Sequence, residues 1–273
     1  MLAGSHQRVR RLRRLVQKRS LRWSEGVCVL EGPDLVRAAL DAGAEFEAIY
    51  VDQVANLAVE EIVQRATADG VRVFTLAPGV LEKVADSQTP QPVIGAVRFT
   101  ALNLDSLSLP LDGVVLVLHE VRDPGNAGTI IRTADALGAR AVVLTGHCVD
   151  PYNPKTLRST AGSIFHVPVI VHENLEEVVT WGRGAGARSL ATVVRGGRPI
   201  NEVEFSTASI IVMGNESEGL SELSSTMCDE RVTIPMSGRS ESLNVSIASA
   251  LVLYAASSGS RWRQAPPTMT TDE

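Results

Sequence analysis

From Gly113 onward, short β-favouring runs alternate with stretches of helical periodicity. The runs lie at Val114 to Leu118, Ala141 to Leu144, Val167 to Val171, Ser189 to Val194, Ser209 to Met213 and Arg231 to Pro235, and helices fill the gaps between them. Strands joined by helical crossovers imply a parallel sheet with covered faces. In such a sheet the ligand crevice lies beyond the carboxyl ends of the strands. SIIVM at Ser209 to Met213 stops abruptly at Gly214, which places Asn215, Glu216 and Gly219 at the expected mouth.

The N-terminal part alternates as well. VCVLEG at Val27 to Gly32 is a strand, and Pro33 opens a helix through Leu40 at its favoured first position. Strands follow at Phe46 to Asp52, Val71 to Leu76 and Val93 to Phe99, with helices at Ala55 to Ala68 and Gly79 to Ala85 between them. The spacing predicts a compact α/β domain over residues 1–100, within the usual domain size. A linker at 101–112 lacks periodicity and carries Pro110, a second domain spans 113–262, and a polar tail at 263–273 is expected to be disordered from Gln264.

Charge is unevenly distributed. The net charge is -5, yet Arg8, Arg10, Arg11, Arg13, Arg14, Lys18, Arg19 and Arg22 all precede the first acid, Glu25. The remainder therefore holds 18 basic against 31 acidic residues. Contact with a polyanion is expected to be local, through this arm. Val9, Leu12 and Leu15 or Val16 recur at helical spacing, so one stripe packs while Arg11, Arg14 and Lys18 project outward. Three widely spaced cysteines without a CxxC pair exclude a disulfide framework and a zinc site, and no apolar run is long enough to cross a bilayer. A reducing cytoplasm is the expected compartment.

Three segments carry polar residues where a plain core element would be apolar. In DPGNAGTIIRTADALGA, Asp123 to Ala139, a helix starting near Asn126 puts Gly125, Gly128 and Arg132 on one face and Ile130, Ala134 and Leu137 on another. Two glycines on an open face would admit a polyanion backbone while Arg132 offers a planar fork for phosphate; a capped surface helix explains the same residues. In GNESEGLSE, Gly214 to Glu222, the glycines have GxxxxG spacing, but Leu220 and Ser221 follow where a phosphate-binding P-loop needs Lys and Ser or Thr. In IPMSGRSESLNVSIASALVLYAA, Ile234 to Ala256, a helix from Ser242 would bury Leu243, Ile247, Leu251 and Tyr254 and leave Ser242, Ser246 and Ser249 as a small polar face. Lys155 and Arg158 share one helical turn. His119, His147, His166 and His172 lack metal-ligand spacing, so no metal is assigned, and RGGRP at Arg195 to Pro199 suggests a flexible turn.

In this order the three segments resemble the motifs of the SpoU-type (TrmH-like) branch of SPOUT RNA methyltransferases, over about Leu111 to Ser257. The resemblance implies a parallel sheet with a trefoil knot, S-adenosylmethionine as cofactor, and methyl transfer to a ribose 2'-hydroxyl of RNA. It implies catalytic roles for Asn126, Arg132, Glu216, Ser242 and Asn244, with cofactor contacts from Gly214, Asn215, Gly219, Ile234, Met236 and Leu243. The third motif's helix would join a homodimer. RNA would meet Arg8, Arg11, Arg14, Lys18, Lys155 and Arg158. Ser217 stands where the family commonly has glycine. LEGPDLVRAAL resembles the ribosomal-protein-like RNA-binding domain often fused ahead of this core, which favours 23S ribosomal RNA as substrate. Transfer RNA methylation, or a noncatalytic RNA-binding or assembly role, are the alternatives.

Overall fold

A computed structural model describes residues 1–52, 57–87 and 89–257. The chain opens with helices α1, Gln7–Gln17, and α2, Arg19–Glu25. Val9, Leu12, Leu15 and Val16 are buried, as their spacing requires. Then come β1, Val27–Glu31; α3, Pro33–Asp41; β2, Phe46–Val51; α4, Leu57–Ala68; β3, Val73–Thr75; α5, Leu81–Val84; and β4, Val93–Arg98. Ala55 and Asn56, expected at the start of the helix that runs to Ala68, lie outside the described residues. The strands form a sheet of order β1-β4-β2-β3, in which β4 is antiparallel to β1 and β2 and β3 is parallel to β2.

Contacts divide the chain into two compact units. The first joins Met1–Leu102 to Asp123–Arg132 and Val149–Pro168. Its core includes Tyr152 and Leu157 packed with Leu30, Val36 and Ile49. A buried ion pair lies within it: Arg22 reaches Asp150 at 2.6 Å, donates to the carbonyls of Leu15 and Val16, and Trp23 Nε1 donates to the same carboxylate at 3.1 Å. Phe99 stacks on Tyr152 with ring centroids 3.7 Å apart. Arg22 is thus not part of the solvated basic arm. An unpaired charge here would be strongly destabilising, so the arm's last cation is structural. Arg11 also departs from expectation, since Glu25 and Glu47 clamp its guanidinium at 2.6 and 2.8 Å.

The second unit comprises Asn103–Arg122, Thr133–Cys148 and the chain from Val169. It contains β5, Val114–His119; β6, Ala141–Thr145; β7, Val169–Val171; α8, Leu175–Gly184; β8, Arg188–Thr192; β9, Arg198–Pro199; β10, Ser209–Met213; α9, Glu222–Thr226; β11, Glu230–Thr233; and α10, Val245–Ser257. Helix α6, Pro124–Ala136, begins in the first unit's residues and ends in the second's, while α7, Pro154–Thr160, belongs to the first. All paired strands run parallel, in the order β7-β6-β5-β10-β8-β11-β9. Arg198–Pro199, expected as a turn, instead pairs with β11 as an edge strand, the position where proline's missing N–H does no harm. The order reverses where β10 lies between β5 and β8, so the crevice opens beyond His119 and Met213. The expected disordered tail lies outside the described residues.

Candidate functional site

Met213 ends β10, and the chain turns at once into a loop that closes on itself. Asn215 and Gly219 exchange backbone hydrogen bonds at 3.2 and 3.0 Å. A Cβ on Gly214 would sit 2.2 Å from the Gly219 carbonyl carbon, so only glycine fits. Gly219 turns the chain back with φ +70°. The Asn215 side chain stitches the loop together: Oδ1 accepts from the amides of Ser217 and Glu218 at 2.7 and 3.2 Å, and Nδ2 donates to the Glu120 carbonyl at 3.5 Å. Glu120 follows β5 with φ +58°, a left-handed conformation that strains a side-chain-bearing residue. Glu216 Oε2 accepts the Arg122 amide at 3.2 Å. The β5 and β10 exits are therefore tied to each other.

Beyond them opens a cleft with a cavity volume of about 170 Å³. Met213, Ile234, Leu243 and Val252 supply apolar wall; Glu216 and Glu218 supply carboxylates; among the described residues no lysine or arginine lines it. Such a lining is unsuited to phosphate and suits a partly apolar ligand bearing positive charge. Gly214, Asn215, Gly219, Met236 and Ser242 also lie in this cleft. Of the residues expected at the site, eight thus come together: Gly214, Asn215, Glu216, Gly219, Ile234, Met236, Ser242 and Leu243.

The third motif corrects two expectations. Its helix begins at Val245, not Ser242. Asn244 caps it, accepting the Ser246 amide on Oδ1 at 2.9 Å and the Ala248 amide on its carbonyl at 2.9 Å. Ser242 and Leu243 precede the helix and are exposed at the cleft. The expected burial is also inverted. Ile247, Leu251 and Tyr254 are 53%, 43% and 55% exposed, whereas Ser249 is fully buried beside Val252. Ser249 Oγ donates to the Val245 carbonyl at 2.7 Å, which satisfies the hydroxyl inside the helix's own turn.

The first motif also packs differently from its reading. Helix α6 starts at Pro124, and Asp123 Oδ1 accepts the Asn126 amide at 2.8 Å, so Asp123 is the cap and Asn126 lies in the first turn, half-buried. Gly128 does not open a face for RNA. It is buried, and a Cβ there would approach Ser159 Cβ at 2.4 Å and the Thr156 carbonyl at 2.5 Å, so its bareness admits α7. Arg132 is exposed, and Asn126 and Arg132 both belong to the first unit. Lys155 is exposed on α7, but Arg158 bonds the buried carboxylate of Glu31 at 2.8 Å, so its charge is committed to the fold.

Two neighbours of the cleft carry only weak sequence signals. His119, which sequence spacing gives no role, ends β5 half-buried with its ring nitrogens 3.0 Å from Thr145 Oγ1 and 3.3 Å from Ser224 Oγ. Burial lowers its proton affinity and favours the neutral ring. The Glu120 conformation leaves no trace in residue type. Burial pushes the Cys148 and Cys228 thiols up to about 11, so neither supplies a thiolate near neutral pH.

Residues 113–254 match the SpoU rRNA Methylase family, and residues 6–95 match the MRM3-like substrate binding domain. The chain is 31% identical over 252 residues to the 23S rRNA (guanosine(2553)-2'-O)-methyltransferase RlmP of Bacillus subtilis, covering 92% of this chain and 96% of that one. The fold is similar to the SpoU methyltransferase AviRb of Streptomyces viridochromogenes in complex with AdoMet, with a TM-score of 0.85, 29% identity, and coverage of 92% and 97%. It is also similar to an AdoMet-bound rRNA methyltransferase from Sinorhizobium meliloti, with a TM-score of 0.82, 31% identity, and coverage of 92% and 94%. No helix among the described residues is long and apolar enough to cross a membrane.

Proposed function

The chain belongs to the SpoU rRNA methylase family, and on that premise we propose that it transfers a methyl group from S-adenosylmethionine to a ribose 2'-hydroxyl of 23S ribosomal RNA. The observation that carries this is the cleft beyond β5 and β10, with apolar walls, two carboxylates and no basic side chain among the described residues. When bound there, S-adenosylmethionine supplies an electrophilic methyl group on a positively charged sulfur. Ile234, Met236 and Leu243 hold its apolar part, and backbone groups of the Gly214 to Gly219 loop fix its polar edge. Asn215 acts through the loop, whose shape it sets.

Arg132 serves the RNA. A guanidinium offers donors and no acceptor, so Arg132 stabilises phosphate and the developing alkoxide rather than acting as a base. Asn126, Glu216, Ser242 and Asn244 orient groups at the reaction centre, Asn244 by fixing the start of α10. Arg8, Arg14, Lys18 and Lys155 contact the RNA backbone. Arg11 and Arg158, held by carboxylates, support those contacts from behind. The second unit carries a trefoil knot, and Ile247, Leu251 and Tyr254 meet a second copy of the chain in a homodimer. An RNA substrate and three free cysteines suit a reducing cytoplasm.

Mapping ribose methylation in ribosomal RNA from cells with and without the protein tests the function directly: one site should lose its mark. In vitro, Arg132→Ala should lower methyl transfer on the order of a hundredfold or more while calorimetry shows S-adenosylmethionine binding intact. Unchanged ribosomal RNA, or near-normal turnover by this variant, would overturn the reaction or the residue's role respectively.

A further inference from the structure

The first unit contains a second open cavity, of about 660 Å³, that the reaction above does not use. The start of α1, strand β2 and the residue before β3 line it, contributing Arg8, Arg11, Arg72, His6, Tyr50 and Glu47. Three guanidinium groups thus face one carboxylate. That carboxylate is already shared, since Glu47 takes Arg11 at 2.8 Å and Arg98 at 2.7 Å. Arg8 and Arg72 enter no ion pair among the described residues, and Arg72 donates only to the Glu47 carbonyl at 3.4 Å.

Arg8 is nonetheless held in place. Its guanidinium carbon lies 4.9 Å from the centroid of the Phe74 ring, and Phe74 in turn stacks on Tyr50 at 5.7 Å. A guanidinium laid over a ring keeps N–H groups along its edge for an outside acceptor. The cavity lies at the amino end of α1, where the helix dipole favours an anion. An arginine oriented in advance, a second uncommitted arginine and a helix amino terminus therefore converge on one opening.

We propose that this cavity binds a phosphodiester of the RNA substrate, with Arg8 and Arg72 as its two cationic contacts. The proposal rests on the reading that the substrate is RNA, and it names a site within the stretch that matches a substrate binding domain. Arg72 lies far outside the basic arm in sequence and joins it only through β3.

The test uses the full chain and a short, labelled, single-stranded oligoribonucleotide, with affinity measured by fluorescence anisotropy between roughly 50 and 200 mM salt. Replacing both cations, Arg8→Gln with Arg72→Gln, should flatten the log-log salt dependence by about 1.4, or ~0.7 for each phosphate no longer neutralised. Arg10→Gln with Arg13→Gln removes the same charge from exposed positions of α1 and should leave the slope close to that of the unaltered protein. Phe74→Leu keeps every charge but removes the ring, and should weaken binding roughly 2- to 5-fold with the slope unchanged. Equal flattening in the two double variants would overturn the site in favour of diffuse attraction. Equal binding of polyglutamate, with the same dependence on Arg8 and Arg72, would overturn the phosphate assignment. Failure of the unaltered protein to bind RNA would instead overturn the RNA reading on which the site rests.

Discussion

Helix α1 is amphipathic, helix α10 is apolar on nearly every side, and the two solve opposite problems. On α1 the large apolar residues face inward and the cations outward; on α10 buried Ser246, Ser249 and Ala256 share the inner face with Val252 and Leu253, while Ile247, Leu251 and Tyr254 point away from it. A side-chain hydroxyl can be buried cheaply when it returns its hydrogen bond to the preceding turn, as Ser249 does to Val245. Small residues then bring the helix close to its support. Hydrophobicity alone therefore does not tell which face of a helix meets the fold and which meets a partner.

Substitutions ordered by their expected effect on folding stability can break this comparison. Leu12→Ala on α1 leaves a cavity in a fully packed place and should lower stability by about 2–5 kcal/mol in denaturant unfolding. Ser249→Leu, which by hydrophobicity should help, is expected to lower it by about 1–3 kcal/mol through overpacking. If it stabilises the protein, the inner face of α10 is not tightly filled. Leu251→Asp with Ile247→Asp should change the stability of the isolated chain little, yet light scattering should show a shift from dimer to monomer. An unchanged molar mass would remove the assembly role from this stripe. Arg14→Gln, an exposed position on α1, should stay within about 0.5 kcal/mol of the parent in stability.

Most of the architecture is legible in residue order, because the strands are short, β-rich runs that recur between helical stretches. Apart from β9, the strands lie where those runs do, with ends shifted by a few residues. Strand order is not legible: nothing in SIIVM says that β10 pairs with both β5 and β8. At the site, the Gly214 to Gly219 loop can be placed because it follows a strand that stops abruptly. The functions of individual polar residues are harder to read. Gly128 has the look of an opening for RNA and is filled by α7; Arg22 and Arg158 have the look of surface charge and neutralise Asp150 and Glu31. In each case the deciding partner lies more than a hundred residues away or on another helix, beyond the reach of local periodicity.

The membership of the first unit has a consequence for synthesis on the ribosome. Tyr152, Leu157 and Asp150 complete a core that begins with α1 and β1, so the N-terminal part leaves the ribosome without several of its own packing partners. Elongation from residue 103 to residue 168 lasts roughly 3 to 13 s at ~5–20 residues per second. During that interval Arg22 has no carboxylate to meet and Phe99 no ring to cover it. The nascent chain must wait, partly exposed, for a segment encoded downstream, which makes the pace of translation through that stretch a determinant of how safely the N-terminal half matures.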